Sequence, residues 1–308
     1  MTREEAHDLL DLARSMRWDF PSSAGRPLRA PADAERLLAR KDDLVTAARI
    51  LDAGSATELA AHAWRLWMVA RDIAGGRAFL AAVLDKGDAP ATRSRALALY
   101  GDGLLAWWQG EREQSRSRNE EALAIAQAED DPEALALAQL GLSRIAVDEG
   151  DQERGRELAA SARALAARCG EAMIQAPLHL EAQATRLAGD YERAAGLFEA
   201  SLALNRRLDD QSMVVVELHN LGHVEIHRGN ADAAEGYFAQ LPPADDPYGE
   251  AMARLNEAAV AFRRGDADTA RAKLEAAEGI FAANGTEAAT DDRFELDWLR
   301  DQVTCAAS

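Results

Sequence analysis

Cysteine is almost missing from this chain of 308 residues, occurring only at Cys169 and Cys305. A disulfide framework or a thiolate zinc site is not supported, and that usage fits a cytoplasmic protein. Lysine is nearly as scarce, present only at Lys41, Lys86 and Lys273. The 35 basic residues stand against 53 acidic ones, a net charge of −18. Binding to a duplex phosphate backbone rests on clustered Lys and Arg, so nucleic acid is not expected as the main partner. No run approaches 18 consecutive apolar residues, which argues against a membrane span. Residues 1–16 are rich in acids and lack the apolar core of an export signal. The strings G-x-x-x-x-G-K-[ST], H-E-x-x-H and G-x-S-x-G are missing, and no G-x-G-x-x-G follows a strand-like run. No catalytic motif is found, so neither an enzymatic activity nor a cofactor is expected.

What the chain has in quantity is alanine, 68 residues of it, within a hydrophobic fraction of 48%. Alanine heads the intrinsic helix scale, while Gly (21) and Pro (9) are sparse, so the composition predicts an all-α protein able to bury a core.

A turn of Gly followed by Asp, Glu or Asn recurs at Gly110, Gly150, Gly189, Gly229 and Gly265, at intervals of 40, 39, 40 and 36 residues. A fixed period in this range is the mark of stacked helix pairs. Glycine can take the left-handed conformation that closes a first helix, and the short polar residue after it can cap a second. The flanking positions keep phase. Five residues after each Gly stands a small residue: Ser115, Gly155, Ala194, Ala234 and Ala270. Nine after it come Asn119, Ala159, Phe198, Phe238 and Leu274, and seven before it Gly103, Ser143, Ala182, Gly222 and Ala258. Small residues at such points let antiparallel helices approach, and larger ones fill the space between repeats. Pro90, Pro132, Pro177 and Pro247 fall near the start of each first helix, where a missing N–H costs nothing.

This layout resembles the tetratricopeptide repeat, with a unit of about 40 residues instead of the usual 34. The longer unit resembles the C-terminal sensor arrays of large bacterial ATPase transcriptional regulators. Residues 64–67 and 76–80 look like the entry repeat of those arrays, and residues 274–279 with 294–299 like their exit. Their ATPase and DNA-binding domains have no counterpart here. The resemblance implies a right-handed α-α superhelix of about six helix pairs with capping helices. Carried backward, the phase puts Arg71 in the place of a turn glycine, 39 residues before Gly110. The expected organisation is therefore an N-terminal helix and Pro/Ser/Gly linker (1–32), a capping helix (33–54), the repeat array (55–285) and a C-terminal capping helix (286–308). Thr2 and Glu5 have capping-box spacing, and the acids Asp291, Asp292, Glu295 and Asp297 are expected on an outer face that shields the last repeat.

In tetratricopeptide arrays the first helix of each pair lines a concave groove. Projected by resemblance, the groove residues with chemistry are Tyr100, Trp107, Trp108, Arg144, Asp148, His179, Gln183, Arg186, His219, His223, His227 and Arg263. Four of the six histidines fall on the projected face, and its formal charges are Arg144, Arg186 and Arg263 against Asp148. Such a face favours an acidic peptide or a small anion. Alternatively, its arginines pair with nearby acids such as Glu181, Glu217 or Glu225. His219, His223 and His227 are spaced i, i+4, i+8 along one helical face, a weak candidate for zinc or nickel and a candidate pH sensor whose protonation would strengthen anion binding. Tyr100, Trp107 and Trp108, with Trp64 and Trp67, form either a ligand shelf or inter-repeat packing. The function implied is a non-catalytic scaffold that binds a protein or peptide segment, with an acidic one favoured, in a regulatory role. A small-molecule or metal sensor, or an enzyme using the histidines, is the alternative. The sequence does not give the oligomeric state.

Overall fold

The computed structural model describes residues 1–16, 18, 34–87 and 90–306. The expected linker over residues 19–31 lies outside the described residues. Those described are helical, with no strand among them. Three helices precede the repeats: α1 (Arg3–Ser15), α2 (Ala34–Leu38) and α3 (Lys41–Ile50). The first pair is α4 (Ala53–Ala63) with its continuation α5 (Arg65–Val69), and α6 (Ile73–Leu84). Then come α7 (Arg93–Trp108) and α8 (Arg112–Ala128), and α9 (Pro132–Asp148) and α10 (Gln152–Ala166). A short 3₁₀ turn (Glu171–Ile174) leads into α11 (Gln175–Leu187) and α12 (Tyr191–Arg207). The series ends with α13 (Gln211–Arg228) and α14 (Ala231–Phe238), α15 (Pro247–Arg263) and α16 (Ala267–Asn284), and a final α17 (Thr290–Ala306). The helices group into two compact units, Met1–Leu180 and Glu181–Ser308.

Local chemistry explains the periodic breaks. Gly110, Gly150, Gly189, Gly229 and Gly265 all have φ between +78° and +84°, and Arg71 has φ +55° at the place the phase assigned to it. The left-handed residue ends each first helix, and the acid behind it accepts a hydrogen bond from the second helix's first turn: Asp151 from Arg154 N, Asp190 from Arg193 N and Asp266 from Thr269 N. Such caps satisfy amides that a helix start leaves unpaired. Pro132 and Pro247 stand in the first turn of α9 and α15, and Thr2 with Glu5 closes a capping box on α1.

Within Met1–Leu180, the core runs through Leu9, Leu37, Leu59, Phe79, Leu99 and Leu140, with Trp67 stacked on Phe79 at 4.3 Å. Trp64 and Trp67 are buried, so packing rather than a ligand shelf accounts for that pair. Asn119 of α8 wedges between two glycines: a Cβ on Gly103 of α7 would lie 2.6 Å from its Nδ2, and one on Gly141 of α9 only 2.0 Å from its Oδ1. Within Glu181–Ser308, Ala194, Ala234 and Ala270 are fully buried at the small-residue phase, and Phe198 and Leu274 fill the position four residues on. Beside them Leu255, Phe281, Leu296, Leu299 and Val303 share one cluster, which docks α17 against α15 and α16.

Candidate functional site

In the first unit, the projected groove residues are largely occupied with one another. Arg144 is buried and donates from Nη1 to the Tyr100 hydroxyl at 3.3 Å. Trp107 donates from Nε1 to Asp148 at 2.6 Å, and Arg112 pairs with the same carboxylate at 2.9 Å. Trp108 stands edge-on to Trp107 and is 43% exposed, a large apolar side chain left in solvent. His179 is buried. Cys169 is half-buried, and burial pushes its thiol up, away from nucleophilic use.

In the second unit, the first-helix residues converge on α17. The carboxylate of Glu295 is ion-paired with Arg186, accepts from His227 Nε2–H at 2.8 Å and lies 3.3 Å from His223 Nδ1, off hydrogen-bond alignment. Asp291 lies 3.7 Å from the other arm of Arg186. Asp292 takes His219 Nε2 at 3.3 Å and the hydroxyl of Tyr248, which in turn accepts from Ala289 N at 3.1 Å. Asn256 links two of the imidazoles. Its Oδ1 accepts from His223 Nε2 at 2.9 Å, and its Nδ2 donates to His219 Nδ1 at 3.4 Å.

The aromatics are arranged in the same way. His227 is sandwiched between Tyr191, stacked at 4.4 Å, and Trp298 at 4.5 Å, with Phe294 at 5.8 Å. Arg263 lies over Trp298 at 5.0 Å and Phe262 at 5.7 Å. Among the described residues no carboxylate pairs with it, and its Nε is buried without a hydrogen bond. Gln183 is half-buried on the same helix as Arg186.

Electrostatics follow from burial. Burial opposes ionisation of Glu295, yet His223, Arg186 and His227 around it hold the carboxyl well below its usual range. Asp292 is likewise held down, against burial, by His219 and Tyr248. Burial dominates at His223 and holds it below the usual imidazole range, although Glu295 opposes. The sign at His223 is the opposite of the sequence expectation, in which protonated histidines tighten the grip on an acid.

Two further expectations are corrected. Asp292 and Glu295 do not form an outer shield; Glu295 is 1% exposed and Asp292 is largely covered, leaving Asp297 outside. Arg186 takes its acids from α17, while Glu225 pairs with Arg228 and Glu217 accepts from Ser201. Among the described residues no group of three or more His, Cys, Asp or Glu is placed to hold a metal ion. Also among them, no helix is long and apolar enough to cross a membrane. Sequence reasoning missed Tyr191, Tyr248, Asn256 and Trp298. The 292, 295, 298 spacing on one helical face was the signal, hidden because acids on a terminal helix read as solvated.

No protein-family model matches the chain, and no curated protein matches it. Solved structures do match in shape. A tetratricopeptide repeat protein from Parabacteroides merdae superimposes with a TM-score of 0.54 at 10% identity, over 98% of this chain and 99% of its own. A Rap protein complexed with competence and sporulation factor gives 0.60 at 13% identity, covering 99% of each chain. NprR in complex with its cognate peptide NprX gives 0.54 at 18% identity, over 87% of this chain and 82% of its own. The positive-φ turns, the small-residue phase and these superpositions agree: the chain has the all-α fold of tetratricopeptide-repeat solenoids.

Proposed function

We propose that the protein is a non-catalytic scaffold whose first-helix face binds an acidic segment of a protein partner, in a regulatory role. One observation carries this reading. The face formed by Arg186, His219, His223, His227 and Arg263 is matched in charge and shape to an acidic, aromatic helix, since α17 lies on it through Asp292, Glu295 and Trp298. A face with buried donors aimed outward discriminates for carboxylates, because any neutral occupant leaves those donors unpaired. Two of the structural neighbours are complexes with a factor or cognate peptide, which supports a segment as the ligand class. Resemblance to regulator arrays supports the regulatory role by analogy of fold alone.

The test is a calorimetric titration in which a chain ending at residue 287 receives a synthetic peptide of residues 288–306. Saturable binding that Arg186→Ala reduces at least tenfold is the expected result. A truncated chain that keeps its helical circular dichroism and takes up no peptide would refute the reading.

A further inference from the structure

Helix α17 satisfies the face beneath it incompletely. Its acids reach Arg186, His219 and His227. Yet Arg186 Nε, Arg263 Nε and His223 Nδ1 stay buried without a hydrogen bond. Native interiors leave few such atoms unpaired, so three in one small area show that α17 suits the face in charge and shape but leaves part of its polar capacity unused. Polar groups also carry much of the hold. Asp292 and Glu295 supply the hydrogen bonds to α13, beside the Phe294 and Trp298 rings against His227, and the aliphatic set on α17 is Leu296, Leu299 and Val303, facing α15 and α16. A helix that served only to cap the last pair would need the second set and not the first.

We infer that α17 is a built-in competitor: it closes the face in cis, and a partner protein opens it by presenting its own acidic, aromatic helix in trans. This rests on the acidic-segment reading and adds to it the regulation of that site. The recognition pattern is read from α17 itself: an acid at the place of Asp292, an aromatic at Phe294, an acid at Glu295 and an aromatic at Trp298. An incoming helix with a further carboxylate near Arg263 gains a contact that α17 lacks.

The physics of exchange sets what must be seen. Only residues 285–289 join α16 to α17, and a short tether holds its end at an effective concentration of about millimolar. A free peptide of the same sequence must therefore reach about millimolar concentration to displace half of α17. Loosening the cis contacts must lower that concentration. Cys305, exposed near the end of α17, is a natural reporter position, and Cys169→Ser leaves it as the single thiol.

The experiment uses the full chain, labelled with a fluorophore at Cys305 in the Cys169→Ser background, in two forms: otherwise unchanged and with Trp298→Ala. Each is titrated with the 288–306 peptide carrying Cys305→Ser, and with the same peptide bearing Asp292→Asn and Glu295→Gln. Release of α17 frees the label and lowers its anisotropy. Expected is a fall with a midpoint near millimolar peptide in the unchanged form, at least tenfold lower with Trp298→Ala, and no fall with the neutralised peptide. If the chain ending at 287 binds the acidic peptide but the label stays anchored in both full-length forms, α17 is a permanent cap and the inference fails while the acidic-segment reading stands. If the folded truncated chain binds nothing, both fail. Equal release by the neutralised peptide overturns recognition through the acids.

Discussion

The ring of Phe238 lies directly against the backbone of Gly222: a Cβ built on that glycine would stand 2.1 Å from Cε1 of the phenylalanine. Gly222 is seven residues before one turn glycine and Phe238 nine after it, so the close approach of α13 and α14 depends on both positions of the repeat phase. Gly222→Ala is expected to force the helices apart and cost about 1–3 kcal/mol. Phe238→Ala in the same background should recover part of that loss. Urea denaturation of the parent and the two variants checks it, and a Gly222→Ala protein as stable as the parent would contradict this packing.

Ala194 and Ala234 hold the fully buried small-residue position of their pairs. Replacing either by Leu inserts three carbons where no space exists, at about 1–3 kcal/mol each. Thermal melts of the two variants should both fall. Unchanged melts would show that the phase has been assigned to the wrong residues.

Tyr248 ties the start of α17 down, donating to Asp292 and accepting from Ala289 N. Tyr248→Phe removes both bonds and leaves the ring contact with Phe281 in place. Loss of a hydrogen bond to a charged group costs about 1.5–3 kcal/mol. Amide hydrogen exchange should quicken in residues 289–294 while α15 keeps its protection. Exchange quickening throughout α15 instead would assign Tyr248 to the core.

Acidification should weaken the fold earlier than carboxylates alone would dictate. His223 has its folded value depressed by burial, with Glu295, Arg186 and the His219 ring as its ionisable neighbours. The unfolded chain therefore takes up a proton near pH 6.5 that the folded one refuses. Stability from this group is full above that pH and is lost as pH falls toward the folded value. Glu295 and Asp292, also depressed, add a second loss below about pH 4.3, the ordinary carboxylate range. Urea midpoints should drop between pH 7.5 and 5.5, and His223→Gln should flatten that slope. A midpoint that rises on acidification would mean the imidazole protonates inside the fold.

Much of the repeat architecture was legible because it is written in local rules. Positive φ at Gly110 to Gly265 and at Arg71, the caps at Asp151, Asp190 and Asp266, and the burial of Ala194, Ala234 and Ala270 each follow from one short stretch of chain. The site was legible only by half. Arg186, His219, His223 and His227 were marked by phase, but their partners Asp292 and Glu295 come from 68 to 109 residues away along the chain, and their spacing on one helical face does not by itself say what that face meets. Acids on a terminal helix look solvated until the helix is seen lying on cations, and charge periodicity cannot tell those cases apart. The sign of the His223 effect needed its burial, which residue identity does not give.

Whether α17 is held on the first-helix face by its acids is tested most directly by a double-mutant cycle on Arg186 and Glu295. Each single change to Leu leaves the other charge buried with its main partner gone, at about 3–5 kcal/mol. Removing both takes away the pair together with its desolvation cost. Denaturant unfolding of the parent, Arg186→Leu, Glu295→Leu and the double variant should give a double loss well below the sum of the singles, with a coupling of about 2–3 kcal/mol. Singles that add within about 0.5 kcal/mol would show the two residues to be independent, and would contradict the seat of α17 on which the binding face rests.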